Sequence, residues 1–319
     1  MLTRENFKGI WAGLPVAWND DETFDEKTYR QDIESCCMAK VPGIYTGGTT
    51  GEFYAQEFEE FCKITDATIA ECKNAKVPVM IGCTSTYTGG AIRKALYAVE
   101  KGADAIQMAL PFWLSVPDEC VVSFFYDVSK TVGNIPISVY CAGERMKKNL
   151  SVKLLKDINR NVPSVFHIKG INVPEDEKEK ACLELSKNFN VFIGEHLLSK
   201  LGRCGAVGSC SSLVYQNPSI LLHMQKLLFE KNWSELDLWC EKIKTIIYEG
   251  LNPLFKKKCE DSAIDRLIGK SAYFLRTSLR CRKPYPYCSQ DDLDNFRKWL
   301  KNNFPEFLNL EWKNENKTG

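Results

Sequence analysis

Three short segments of the chain carry side chains that could act together on a carbonyl compound. Lys169 ends the segment 165–169, Tyr140 ends the segment 136–140, and Gly48, Thr49 and Thr50 lie in a glycine-rich turn. An amine held away from water has a lowered pKa and can attack a ketone to form an imine. A phenol beside it can move protons, and a glycine turn with two hydroxyls can bind a carboxylate. The segments therefore predict imine chemistry on a 2-oxo acid.

Each segment also has a plainer interpretation. The functional interpretation depends on the alternation of side chains across a strand, which would aim His167 and Lys169 at the axis of a closed barrel. A lysine at a strand end can instead extend to water, and Tyr140 can be an ordinary core residue. The glycine turn can simply precede a helix that starts at Glu52. Taken singly, no segment decides between these interpretations.

Eight short apolar runs alternate with longer stretches of helical period, which is typical of repeated βα units and a parallel sheet. The predicted strands are 10–18, 43–48, 78–83, 105–110, 136–140, 165–170, 191–195 and 206–210. The predicted helices are 25–39, 56–73, 91–100, 118–131, 152–159, 175–187 and 218–231. This count predicts an α/β fold, a (β/α)8 TIM barrel with its active site at the carboxyl ends of the strands. A doubly wound open sheet is the alternative, but its G-x-G-x-x-G signature is missing after the first strand.

The barrel pattern ends near residue 232. We therefore predict a catalytic barrel domain over residues 1–232 and a C-terminal helical extension over residues 233–319. Helical periodicity in the extension covers 234–248, 263–280 and 290–302. Because no flexible linker separates the two parts, we expect the extension to pack on the barrel or at a subunit interface.

Composition excludes several classes of partner. Lys and Arg number 42 against 41 Asp and Glu, so no net field attracts nucleic acid or a membrane surface. The first seven residues lack the apolar core of a secretory signal, and we expect a cytoplasmic protein. The 14 cysteines contain no C-x-x-C pair and are expected to be reduced core residues. We expect the protein to bind no metal and no cofactor.

The order of these motifs resembles the dihydrodipicolinate synthase and N-acetylneuraminate lyase family over roughly residues 6–228. The resembling parts are the Gly-Thr-Thr-Gly-Glu turn, a tyrosine ending strand five and a lysine ending strand six. The resemblance implies that Lys169 is the Schiff-base nucleophile and Tyr140 its proton shuttle. Thr49 and Thr50 would hold the carboxylate of pyruvate, and Thr50 would also orient the reacting bond. Gly194, Val207 and Ser209 would line the substrate pocket, and a homotetramer or homodimer is implied.

Three positions depart from a family pattern or bear on the second substrate. Trp113 stands where synthases usually have a tyrosine of the proton relay, and an indole cannot shuttle a proton. It is similar to a tryptophan of hydratase-aldolases for bulkier 2-oxo acids. Arg145 matches an arginine that binds the second substrate's carboxylate, or it is a solvated charge paired with Glu144. Glu195, after Gly194, could reproduce only part of the acidic pair of sialic acid lyases.

The predicted function is therefore a class I lyase or aldolase that cleaves or condenses a pyruvate-derived 2-oxo acid. The alternatives are dihydrodipicolinate synthase proper, a 2-keto-3-deoxy sugar acid aldolase or dehydratase, and a barrel that binds a small acid without turnover. A metal-dependent or phosphate-binding barrel is a further alternative, for which the glycine-rich segment 205–208 is the candidate loop.

Overall fold

Eight parallel strands form a closed barrel in the computed structural model, which describes residues 2–313. The strands pair in chain order, and the eighth pairs with the first. They are β1 Gly9–Gly13, β2 Ile44–Thr46, β3 Val79–Gly82, β4 Ala105–Met108, β5 Ile137–Tyr140, β6 Val165–Lys169, β7 Asn190–Phe192 and β8 Ala206–Ser211. The predicted (β/α)8 TIM barrel with C-terminal helices is confirmed.

Helices cover the outside of the barrel. Those that follow the eight strands are α1 Glu26–Met38, α2 Phe58–Ala75, α3 Thr88–Lys101, α4 Asp118–Val132, α5 Val152–Asn161, α6 Lys178–Leu185, α7 Leu198–Gly202 and α8 Pro218–Glu230. Side-chain caps fix several of their first turns, for example Asp25 on α1 and Ser151 on α5. The short helix α7 has too few residues to show a helical period, and the sequence did not predict it.

Six strands, β1–β4, β6 and β7, end earlier than the sequence predicts, and β1 and β7 differ most. Strand β1 stops at Gly13 rather than at residue 18, because Pro15 has no N–H to donate to a neighbouring strand. Strand β7 stops at Phe192, and the chain turns at Gly194 into a short 3-10 turn, Glu195–Leu197. Both shortened ends lie at the carboxyl face of the barrel, so the chain that follows them helps to form its rim.

The C-terminal part of the chain is helical. It contains α9 Trp233–Thr245, α10 Asn252–Lys256, α11 Asp261–Ser271 and α12 Gln290–Asn303. Helix α11 is shorter than the predicted helix 263–280, because Asp32 of α1 accepts the backbone N–H groups of Arg276 and Thr277 and holds that segment against the barrel. The domain boundary at residue 232 stays a prediction, and its outer limits at Met1 and residues 314–319 lie outside the described residues.

Aromatic side chains fill the interior of the barrel. Phe7, Trp11, Tyr45 and Phe192 belong to one buried cluster there, whereas the alternate residues of the same strands pack against the helices. His167 is fully buried between the rings of Phe7 and Phe192, with centroids 4.0 and 4.2 Å away. Burial, and then the charge of Lys169, lowers the pKa of His167 to about 3. The imidazole is therefore a neutral part of the core below the reacting groups.

Across residues 2–313, no helix is both long enough and apolar enough to cross a bilayer. Within the same residues, no group of three or more His, Cys, Asp and Glu side chains is arranged to hold a metal ion.

Candidate active site

Lys169 and Tyr140 lie side by side at the carboxyl ends of β6 and β5. Their Cα atoms are paired in the strand register, and Lys169 Nζ lies 4.3 Å from the centroid of the Tyr140 ring. The ring of Tyr45 lies 5.1 Å from the same nitrogen. Period-2 alternation sends both reacting side chains to the inside of the barrel. The structure thus brings together the amine and the phenol that the sequence singles out.

The protonation of Lys169 differs from the sequence-based expectation. Burial lowers its pKa, but four negatively ionising neighbours outweigh burial, and the pKa of Lys169 is raised. These neighbours are, in decreasing order, Tyr140, Cys210, Asp261 and Asp265. The prediction of a lowered lysine pKa is therefore wrong, because the negative neighbours favour the ammonium form of Lys169. A neighbouring group must take up its proton before the nitrogen can attack a ketone.

The glycine turn after β2 brings its threonines into the same site. Thr49 is buried, and its Oγ1 lies 3.3 Å from the Tyr140 hydroxyl. Gly48 has to be glycine, because a Cβ atom there would overlap the hydroxyl of Tyr45. Gly47 has a φ of +77°, and a Cβ on it would lie 2.7 Å from the carbonyl oxygen of Gly82 in β3. Close packing against two neighbours therefore fixes the turn that presents the threonine hydroxyls.

Glu52 anchors this turn to the C-terminal helices. It has a left-handed backbone, with a φ of 53°, and its carboxylate is fully buried. Trp18 Nε1 and Arg266 Nη2 each donate to one carboxylate oxygen at 2.5 Å, and the backbone N–H of Arg282 donates to the other at 2.9 Å. The Glu52–Arg266 ion pair is inaccessible to solvent on both sides. Glu52 therefore holds the loop in place and does not cap the first turn of a helix.

Helix α11 adds a second carboxyl group to the site. Asp265 is buried, and its Oδ2 lies 2.5 Å from Thr50 Oγ1 in a hydrogen bond. Burial, and then the charge of Asp261, raises the pKa of Asp265 to about 7. Nothing in the sequence pattern pointed to this residue, because it lies 215 positions from Thr50. The C-terminal helices are thus part of the site.

A cavity of about 280 Å³ opens beside Tyr140 and Thr49. Aromatic and apolar side chains form most of its wall; the remaining lining residues are Phe53, Tyr54, Ala109, Phe112, Ala142, Arg145, Met146, Glu260 and Tyr285. Arg145 Nη2 lies 2.6 Å from Glu260 Oε2 and 3.1 Å from Asp261 Oδ1. Neither interpretation offered by the sequence described this pairing, which balances the arginine charge with two carboxylates from the C-terminal part.

Comparison with known proteins decides the family. The model of the dihydrodipicolinate synthetase family matches residues 6–303. The chain belongs to this family. Members are Schiff-base lyases and aldolases, so the protein is a class I lyase or aldolase. Membership leaves the substrate open, because synthases and lyases share the family.

Individual relatives agree with this assignment. A 4-hydroxy-tetrahydrodipicolinate synthase of Anaplasma marginale (strain Florida) is 30% identical over 208 residues, which is 65% of this chain and 67% of the relative. Among solved structures, a prophage protein of the dihydrodipicolinic acid synthase family from E. coli K12, in complex with pyruvate, has a TM-score of 0.82 at 18% identity and covers 93% of this chain and 98% of that one. An N-acetylneuraminate lyase from Fusobacterium nucleatum has a TM-score of 0.79 at 19% identity, with coverage of 93% and 98%.

The other residues that the family resemblance singled out lie in different surroundings. Val207 packs on the aromatic cluster inside the barrel, and Gly194 forms the turn after β7. Ser209 is paired with Ile10, which packs against the outer helices, so its side chain faces away from the axis. The structure therefore does not support a substrate contact for Ser209. The interior position belongs to Cys210, the partner of Trp11 in the register.

Trp113 is also outside the cavity. Its side chain is 77% exposed, and the neighbouring Phe112 lines the cavity instead and packs edge-on against Phe53 with centroids 5.9 Å apart. Of the two neighbouring aromatic residues, Phe112 therefore belongs to the cavity wall and Trp113 does not, and the substrate role of Trp113 stays a prediction.

Proposed function

We propose that the protein cleaves or condenses a pyruvate-derived 2-oxo acid through an imine on Lys169. The observation that carries this proposal is the arrangement of three groups at one mouth of the barrel. Lys169 Nζ lies 4.3 Å from the Tyr140 ring, and the Tyr140 hydroxyl lies 3.3 Å from Thr49 Oγ1. An amine, a phenol and a carboxylate-binding turn are the groups that imine chemistry on a 2-oxo acid requires.

In the proposed mechanism, the Lys169 ammonium first loses a proton, and its nitrogen attacks the C2 ketone. Tyr140 passes a proton to the carbinol oxygen, which leaves as water and gives an iminium ion. The iminium accepts the electron pair of the C3–C4 bond as that bond breaks, and Tyr140, now deprotonated, takes the proton of the C4 hydroxyl, so an aldehyde departs and an enamine remains. Protonation at C3 and hydrolysis then release pyruvate and the free lysine. The reverse sequence is a condensation.

The Thr49–Tyr140 hydrogen bond supports the proton-transfer role of the phenol. A tyrosine hydroxyl both donates and accepts, so it can relay a proton between a reacting oxygen and Thr49. Thr49 and Thr50, with the amides of the turn, would hold the substrate carboxylate next to Lys169. Fixing that end of the substrate positions C2 for attack, which is the entropic part of catalysis.

The cavity wall favours a substrate whose far end is uncharged and apolar. Four aromatic rings besides Tyr140 line the wall, and two of them, Tyr54 and Tyr285, pack edge-on with centroids 4.6 Å apart. Arg145, the positive group in this wall, is already paired with Glu260 and Asp261. A second acidic group on the substrate would have to displace these carboxylates. Dihydrodipicolinate synthase proper is the second candidate, because relatives of 26% and 30% identity are named 4-hydroxy-tetrahydrodipicolinate synthase and Arg145 is present.

Borohydride trapping tests the proposed nucleophile. Pyruvate and borohydride should add one reduced pyruvyl group per wild-type chain, detected by intact-mass measurement, and Lys169→Ala should abolish it. Lys156→Ala is the matched control, because Lys156 is a half-exposed lysine paired with Glu184 on the outer helices. An adduct that survives Lys169→Ala would place the nucleophile elsewhere.

A substrate panel separates the two candidate functions. The 2-oxo acids should carry aromatic, sugar-like or acidic far ends and be compared by kcat/KM. We expect the aromatic member to be preferred over the acidic one. A clear preference for the acidic member would instead favour dihydrodipicolinate synthase proper and overturn our interpretation of the cavity.

We also propose a homotetramer or homodimer in the cytoplasm. Family membership supports the oligomer, and the adjacent exposed side chains of Trp113 and Leu114, 77% and 71% accessible, supply apolar surface beside the site. All 14 cysteines are free thiols, which supports a reducing compartment. Light scattering on the purified protein measures the oligomeric state directly.

A further inference from the structure

A carboxyl group from the C-terminal part of the chain hydrogen-bonds to one of the two threonines of the carboxylate-binding turn. Asp265 projects from α11, is 7% exposed, and has its Oδ2 2.5 Å from Thr50 Oγ1. The Ser212 hydroxyl, which follows β8, is its second hydrogen-bonding partner. A buried carboxyl in this position affects what the Thr50 hydroxyl can offer to a ligand.

Because the threonine hydroxyl carries a single proton, the protonated and ionised states of Asp265 leave Thr50 with different hydrogen-bonding abilities. A hydroxyl has one proton to donate. When Asp265 is ionised it can only accept, so the Thr50 proton points to Asp265 and the lone pairs of Thr50 are left facing an incoming carboxylate. When Asp265 is protonated it donates to Thr50, and the Thr50 proton is free to bind the substrate carboxylate.

We propose that Asp265 is a positioning residue that turns the Thr50 hydroxyl toward the carboxylate of a 2-oxo acid when protonated and away from it when ionised. This inference rests on the proposed function, in which Thr50 binds that carboxylate. Its consequence is that affinity for an anionic 2-oxo acid falls as the pH rises through the titration of Asp265. An ionised Asp265 would also repel the substrate's negative charge directly, in the same direction.

The surroundings of Asp265 place this titration in an accessible pH range. Three charged or titratable groups face it: Asp261 on its own helix, Lys169 at the end of β6, and Tyr215 after β8. Burial, and then Asp261, favour the protonated acid, whereas Thr50, Ser212 and Lys169 favour the carboxylate, and the pKa is raised to about 7. Both states of the acid are therefore populated near neutral pH.

The test compares two small ketones in the borohydride-trapping reaction from pH 6 to pH 8. Pyruvate carries the carboxylate, and pyruvamide is its uncharged counterpart. Deprotonation of Lys169 affects both ketones. The half-saturating concentration of pyruvate divided by that of pyruvamide is therefore a ratio that isolates carboxylate binding. For wild type this ratio should rise about tenfold, because the apparent affinity scales with the fraction of the binding-competent state. The maximal trapping rates should show no comparable divergence between the two ketones.

Two variants show whether Asp265 is responsible. Asp265→Asn has an amide that donates to Thr50 at every pH, so the ratio should stay constant from pH 6 to 8 at a value near that of wild type at pH 6. Asp261→Asn changes a partly exposed residue and removes a charge that raises the pKa of Asp265, so the rise should begin at a lower pH. If Asp265→Asn does not fold, the pH profile of Asp261→Asn alone tests the role of Asp265.

The outcomes separate this inference from the proposed function. Trapping of both ketones with the same pH-dependent ratio in wild type and Asp265→Asn would overturn the role of Asp265 and leave the Schiff base intact. A ratio that does not change in wild type, or an unshifted profile in Asp261→Asn, would do the same. Failure of wild type to trap either ketone would overturn the proposed function, and this inference with it.

Discussion

Glu52→Gln should destabilise the protein far more than the loss of a surface charge. The Glu52 carboxylate and the Arg266 guanidinium are both fully buried and 2.5 Å apart. The amide keeps the size of the side chain but removes the charge that balances Arg266. Leaving a buried charge without its partner costs about 3–5 kcal/mol. For a chain of 319 residues this corresponds to a fall in Tm of about 4–8 °C, using about 2.1 cal/mol/K of unfolding entropy per residue.

Urea denaturation of Glu52→Gln measures this cost, and Glu184→Gln is the matched control. Glu184 has a side chain that is 34% exposed and pairs with Lys156 and Lys187 on the outer helices. Exposed pairs of this kind contribute little to stability, because water screens the two charges. A double variant, Glu52→Gln with Arg266→Met, should recover part of the loss, because it removes the unbalanced charge as well. Equal destabilisation by the two glutamine variants would refute the reasoning.

Three further changes have defined outcomes. Tyr140→Phe keeps the ring but removes the hydroxyl, so kcat should fall about 10²- to 10⁴-fold while borohydride still traps an adduct, which steady-state kinetics and intact mass will check. In the folded protein the pKa of His167 is lowered to about 3. Its contribution to the free energy of unfolding is therefore fully present at a pH above the ordinary histidine pKa of about 6.5, and it is lost as the pH falls toward 3. Unfolding at pH 7 and pH 5 should thus show a loss of about 2 kcal/mol that His167→Gln lacks; equal losses would contradict it. Replacing Glu260 and Asp261 by Gln and Asn frees Arg145, and kcat/KM for a 2-oxo acid with an acidic far end should rise about tenfold relative to an aromatic one. No relative change would show that these carboxylates do not set the preference.

Local periodicity explains why the reacting pair could be predicted from the sequence. Lys169 and Tyr140 each end a short strand, and the alternation of side chains fixes which face of the strand each occupies. The closed order of the barrel then places β5 beside β6, so the two side chains become neighbours. The glycine turn was recognisable for a similar reason, because Gly47 and Gly48 occupy positions where a side chain would collide with β3 or with Tyr45.

The contribution of the C-terminal part could not be predicted in this way. Asp265 and Glu260 reach the site because helix α11 and the chain before it pack over the carboxyl face of the barrel, and no local pattern encodes that packing. The raised pKa of Lys169 has Tyr140 and Cys210 as its larger causes, but the same long-range packing contributes to it, since Asp261 and Asp265 come from α11. The register also decides between Ser209 and Cys210, because a shift by one residue exchanges the inner and outer faces of a strand.

Exchange of the C3 hydrogens of pyruvate in deuterium oxide tests the central claim most directly, because it reports the iminium and enamine without a second substrate. Proton NMR should show that wild type and Lys156→Ala exchange these hydrogens at the same rate, and that Lys169→Ala does not accelerate exchange at all. Exchange that persists in Lys169→Ala, or its absence in wild type, would contradict the assignment of Lys169 as the nucleophile.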